Sequence, residues 1–293
     1  MRLIRFLTDG FAPRAGVLDG DVVTGFAGPG SLGDLLALPV DGIRETCANP
    51  GGARIPAADV ELLAPVDGRM EVWAAGVTYE RSRTARMAES EQSADIYDRV
   101  YAAERPELFF KSAAWRVSGP GMPVSVRSDS TIDVPEPELA VVLNAAGAVA
   151  GYTICNDMSS RSIEGENPLY LPQAKIYLGG CAVGPWIVPA WEVPDPYALT
   201  IELTIVRDGS TAWAGSGNTA TLHRKIDDLA EYLFTRSSGH FASLMSLISR
   251  GCYRAIRTGA ESLTAGLLDE VRIDQAAEDA RGQLQAAGEA MAV

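Results

Sequence analysis

Up to Pro65 the chain alternates short apolar runs, LIRFL, AGVLDGDVVTGFAG and ADVELLAPV, with Gly, Pro and Asp. LDGD between two such runs predicts a hairpin turn, and SLGDLLAL predicts one short helix with a serine cap. These elements describe a small N-terminal α+β unit over 1–65, followed by a larger domain over 66–293. In that domain VWAAGVTY and LFFKSA read as buried strands on either side of a charged, mostly helical stretch, 80–107. Beyond Ile132 the strand-like runs LAVVL, VAGYTICND, GPWIVPA and LTIELTIVRDG follow, broken by Gly and Pro. Strands and helices do not alternate regularly, so the fold class expected is α+β with a β-rich core. One amphipathic helix is predicted over 221–236, with Leu222, Ile226, Leu229, Leu233 and Phe234 on one side. The Ala-rich tail, 274–293, fits helix, strand end or partial disorder.

Composition narrows the function. Hydrophobic residues make up 47% of the 293 and charged residues 22%, ordinary values for a globular protein. The formal net charge of −13, from 38 acidic and 25 basic residues, argues against nucleic acid as a partner. It suits a protein that acts on a small molecule or concentrates cations. No apolar run is long enough to cross a membrane, and a cytoplasmic location is expected. Cys47, Cys155, Cys181 and Cys252 form no CxxC pair and read as reduced core thiols.

The candidate chemistry centres on 133-DVPEPELAVVL-143, which sets Glu136 and Glu138 one residue apart at the mouth of a strand. Alternate residues of a strand share a face, so the two carboxylates project side by side. Such a pair is unstable unless one carboxyl is protonated or a cation lies between them. The bland alternative is an irregular, solvated edge marked by Pro135 and Pro137. A second apolar strand ends in Asn156 and Asp157. An aspartate there could complete an all-oxygen, three-carboxylate cluster of the kind preferred by Mg²⁺, Mn²⁺ or Ca²⁺. With His223 and His240 the only histidines, zinc is a poor candidate.

ExELAVV, then AGYTxxNDMSSR, a lysine and a GPWIV strand, in that order, resemble the fumarylacetoacetate hydrolase superfamily. The resemblance implies a mixed β-roll catalytic domain, a homodimer, and a divalent metal held by Glu136, Glu138 and Asp157. Where the commoner hydrolase and decarboxylase branches carry a catalytic histidine, this chain has Ser82. GVTYxRSRxARMxES, RPELFFK and EGENPLYLPQAK resemble the branch that dehydrates 2-keto-3-deoxy-arabinonate and -xylonate to α-ketoglutarate semialdehyde.

That resemblance implies a Mg²⁺-dependent lyase working through a metal-stabilised enolate of a 2-keto acid. Lys175, its pKa lowered beside a dication, is the candidate base. Glu164 and Glu166, in a Gly-containing loop read as a mobile lid, are candidate acids. Ser82, Arg83, Arg86, Lys111, Ser160, Arg161 and Arg250 are candidate substrate contacts, with Ser159, Ser160 and Arg161 placed directly behind Asp157.

The chain departs from the family pattern at Ser162 and Leu178, where aspartates are usual, and at Ala182, where a proline is. The departure of most weight is in 247-LISRGCYRAIRTGAESL-263, where Arg250, Arg254 and Arg257 replace a tight Gly turn. Decarboxylation or C–C hydrolysis of a β-diketo acid, and a degenerate member without turnover, stay open beside dehydration.

Overall fold

In the computed structural model the described residues are 1–8, 12–79 and 94–237, with side chains omitted for 94–97 and 234–237. One compact unit comprises Met1–Leu229; of the second, Ala230–Val293, only the end of one helix is described.

Four N-terminal strands run β1 (Arg2–Leu7), β2 (Arg14–Asp19), β3 (Val22–Phe26) and β4 (Gly51–Pro56), with β5 (Glu61–Leu63) against β1. β2 and β3 form the expected hairpin, and Gly20 takes the left-handed conformation (φ +57°) that its turn requires. Helix α1 (Leu32–Leu36) starts at Ser31, whose side chain accepts from the Asp34 amide as a cap. The buried carboxylate of Asp67 takes the amides of Leu32 and Gly33, at 2.9 Å each, and so pins α1 to the chain beyond Pro65. A second helix, α2 (Val40–Ala48), lies where only one was expected. Its apolar contribution is confined to Ile43 and Cys47, too few positions for a helical period to stand out.

Strands β6 (Glu71–Ala75) and β7 (Leu108–Ala113) pair as a separate ribbon. β6 is partly exposed rather than buried, and it ends before Gly76 and Val77, the latter left-handed at φ +51°. Helix α3 (Ala94–Ala102) falls within the charged stretch expected to be mostly helical. The short β8 (Asp133–Val134) leads to β9 (Pro137–Leu143) and β10 (Val149–Asp157). Strand β11 (Ser159–Ser160) pairs with β8, and helices α4 (Arg161–Glu166) and α5 (Leu171–Lys175) precede β12 (Cys181–Pro189).

Strand β12 lies between β1 and β10, so β4-β3-β2-β1-β12-β10-β9 form one sheet from N-terminal segment to carboxylate strands. Leu3, Val17, Phe26, Leu32, Ile43, Ala150 and Ile187 build a core shared across that sheet. β13 (Thr200–Arg207) and β14 (Ser210–Asn218) make an exposed hairpin. The late helix, α6 (Ile226–Ser237), begins five residues after the expected start at 221. Thr219–Thr221 form a single 3-10 turn capped by Asn218, and Leu222 is drawn into a β-bridge with Tyr79. The expectations for 247–263, 274–293 and Cys252 lie outside the described residues.

Candidate metal centre

Antiparallel pairing of β9 with β10 sets Cys155 opposite Glu138, and the Asp157 amide donates to the Glu136 carbonyl at 2.9 Å. Glu136 therefore faces Asp157 one step beyond Glu138 and Cys155, and all three carboxylates share one side of the sheet. Their oxygens lie within 4.8 Å of one another. Among the described residues this is the single group of three such side chains able to hold a metal ion.

Cations already attend two of the acids. Lys175 Nζ donates to Glu136 Oε2 at 3.1 Å, to Asp157 Oδ2 at 2.9 Å and to Ser159 Oγ at 2.6 Å. Arg161 donates to Glu136 Oε1 from Nε at 3.0 Å and from Nη2 at 2.8 Å. Lys111 ion-pairs with Asp157 Oδ1. Glu138 accepts no hydrogen bond from the described residues, and its carboxyl is pushed up to about 8 by burial, then by the charges of Asp157 and Glu136. The sequence reading let an ion alone make the clustered charges tolerable. Three basic side chains and the proton that Glu138 retains also do so.

The loop before Glu136 is sewn to the start of α4. The Arg161 amide donates to the Ile132 carbonyl at 2.8 Å, and the Thr131 amide to Ser162 Oγ at 3.1 Å. Ser160 Oγ donates to Ser130 Oγ at 2.7 Å. Ser162, in place of the usual aspartate, thus supplies an acceptor that fastens this loop.

Of the expected site residues, the structure brings together Glu136, Glu138, Asp157, Lys175, Arg161 and Lys111. Ser160 is fully buried and turned toward Ser130, not toward an open site. Glu164 and Glu166 stand on a helix, not on a loop: Glu164 is buried, with a carboxylate oxygen 4.0 Å from Arg161 Nε, and Glu166 is exposed. Lys111 is buried with its donors directed at protein groups. Ser82, Arg83, Arg86 and Arg250 lie outside the described residues. Two tyrosines escaped the sequence reading. Tyr79 is pushed up to about 12 by burial and then by Glu138; Tyr177, likewise near 12, answers to burial, Asp133 and Asp157. Their position beside the motifs GVT and KI was the available signal.

The fumarylacetoacetate (FAA) hydrolase C-terminal family matches residues 71–239, more than half of the chain. The chain belongs to the fumarylacetoacetate hydrolase family. An Rv2993c-like N-terminal family matches residues 1–65 ahead of the fumarylacetoacetate hydrolase part.

Among family members, the probable 2-keto-3-deoxyxylonate dehydratase of Haloferax volcanii is 51% identical over 178 residues, 61% of this chain and 60% of that protein. The 2-dehydro-3-deoxy-D-arabinonate dehydratase of Saccharolobus solfataricus is 48% identical over 178 residues, 60% of this chain and 59% of that protein. The match thus spans about three-fifths of the length of these curated relatives. A solved 2-keto-3-deoxy-D-arabinonate dehydratase, complexed with magnesium and 2,5-dioxopentanoate, superposes with a TM-score of 0.66 at 37% identity. That superposition covers 80% of this chain and 82% of the other. The 2,4-didehydro-3-deoxy-L-rhamnonate hydrolase of a Sphingomonas strain is 26% identical over 250 residues, 80% of this chain and 78% of that protein.

Proposed function

We propose that this chain binds Mg²⁺ through Glu136, Glu138 and Asp157 and dehydrates a 2-keto-3-deoxy sugar acid to a semialdehyde. The observation that carries the reading is the joining of that carboxylate triad to Lys175 through hydrogen bonds to two of its members. The donors are all oxygen, which suits a hard dication. Glu138, whose charge burial disfavours and no described donor offsets, marks where a cation is wanted. Mn²⁺ or Ca²⁺ fits the same donors.

When bound, the cation supplies a Lewis acid that withdraws electron density from a 2-keto group and makes the C3 protons acidic. Lys175 Nζ, held among Glu136, Asp157 and Ser159, is the group placed to take the C3 proton once it is itself deprotonated. Glu164, buried beside Arg161, gives a proton to the departing C4 hydroxyl. Arg161 holds Glu136 in place, so its guanidinium serves the triad directly. Ser82, Arg83, Arg86 and Arg250 stay assigned to the substrate's carboxylate and hydroxyls.

We read residues 1–65 as a small domain bracing the catalytic one, 66–293, through the pairing of β1 with β12. No helix among the described residues is long and apolar enough to cross a membrane, and we place the protein in the cytoplasm. Trp115, Met122, Ile132, Leu169 and Leu178 are exposed, and a second copy of the chain would cover such surface. Light scattering should then give the mass of a dimer.

The deciding experiment incubates 2-keto-3-deoxy-pentonates with the protein and Mg²⁺ and follows semialdehyde through a coupled aldehyde dehydrogenase. No semialdehyde, with CO₂ or carboxylate fragments released from an acylpyruvate, moves the reading to decarboxylation or C–C hydrolysis. The Sphingomonas hydrolase, aligned over four-fifths of this chain, keeps that second reading in play.

A further inference from the structure

Lys111 belongs to the β6–β7 ribbon, outside the sheet that carries the carboxylates, yet its ammonium ends at Asp157. Its side chain is 1% exposed. A buried ammonium loses several kcal/mol of hydration and is tolerated where acceptors meet all its N–H groups. Here they do. Nζ donates to the Met158 carbonyl at 2.9 Å and the Lys175 carbonyl at 2.6 Å, and it pairs with Asp157 Oδ1.

Those partners form a closed circuit. Lys111 holds the backbone of Lys175 at the carbonyl end of α5, where a positive charge is favourable. The Lys175 side chain returns to Asp157 Oδ2 at 2.9 Å, and Asp157 Oδ1 leads back to Lys111. One ammonium therefore fixes both the orientation of a carboxylate and the root of the lysine that touches it. With three acceptors in the protein, it has no donor left for a substrate.

We propose that Lys111 is a positioning residue that orients Asp157 and Lys175 and does not contact substrate. This rests on Asp157 being a metal ligand, as read above. The test compares wild type with Lys111→Met by calorimetric titration with Mg²⁺ and Mn²⁺, below the onset of urea unfolding. The variant should bind either ion about 10-fold more weakly, the effect of losing a group that orients a ligand. With the keto acid, kcat should fall while KM stays within about 2-fold.

Unchanged or tighter ion binding in the folded variant, with only a lower urea midpoint, overturns the proposal in favour of a purely structural lysine. A raised KM with kcat unchanged overturns it in favour of substrate binding. If Lys111→Met does not fold, Lys111→Arg decides. It keeps the charge, but a planar guanidinium cannot serve three converging acceptors, so the same loss is expected and wild-type affinity overturns the proposal. A wild-type chain that binds the ions but converts no keto acid defeats the dehydratase reading alone, and the titrations still decide here. A wild-type chain that binds neither ion defeats both.

Discussion

Lys175 Nζ lies 2.9 Å from Asp157 Oδ2, inside the carboxylate cluster and not outside it. In the absence of a dication this ammonium occupies the space between two of the three acids, since it also reaches Glu136. Lys175→Met therefore separates two properties. Loss of the proton acceptor should lower kcat by about 10²–10⁴-fold. Mg²⁺ binding, measured by calorimetry, should persist or tighten, because a positive charge touching two ligands is gone. An ion affinity that collapses with activity would show that Lys175 supports the ligands and does not compete with the ion.

The ligand assignment predicts the behaviour of two further variants. Wild type should melt several degrees higher with Mg²⁺ at about 100 times its Kd, a stabilisation of about 2.7 kcal/mol. In Glu138→Ala and Asp157→Ala that shift should vanish. Full Mg²⁺ and Mn²⁺ shifts retained in both variants count decisively against the assigned ligands.

A pH dependence follows from Glu138. Its carboxyl titrates near 4.5 in the open chain and about 8 in the fold, so folding takes up a proton between those values. The stability it contributes is complete below the lower value and is lost as pH rises through the upper one. Thermal melts of metal-free protein should fall across this window, and Glu138→Gln should flatten the slope. Mg²⁺ displaces the same proton, so its apparent affinity should climb over the window. A metal-free melting curve equally steep in Glu138→Gln excludes this group as the source.

Val77, two residues before Tyr79, is β-branched and left-handed at φ +51°. That conformation costs an L-residue about 1–2 kcal/mol, and glycine escapes the cost while adding freedom to the unfolded chain. Val77→Gly should raise the urea midpoint by up to about 1 kcal/mol. A lowered midpoint would mean that packing of the isopropyl group outweighs the backbone term.

Much of this architecture was legible in the order of residues. The strands β7, β9, β10, β12 and β13 fall on the apolar runs, because alternation and β-branched content report directly on a half-buried pleat. The i, i+2 spacing of Glu136 and Glu138 placed them on one face, and Ser31 announced α1. Other features escaped because distant residues decide them. Helix α2 contains Gly42 and Thr46, poor helix formers, and is held by burial of Ile43 and Cys47. Glu164 looked like part of a glycine-loosened loop, yet Ile163 beside it is buried and the turn closes into a helix. Lys111 meets Met158 across 47 positions and Lys175 across 64, separations at which no local pattern speaks.

The hydrogen-bonded continuity from β1 through β12 to β10 has a practical corollary for anyone trimming this protein. A version beginning at residue 66 would strip β12 of its neighbour and leave it as a bare sheet edge, prone to recruit other chains. Asp157 sits on the strand immediately inside that edge, so a cut far away in sequence lands one strand from the acids.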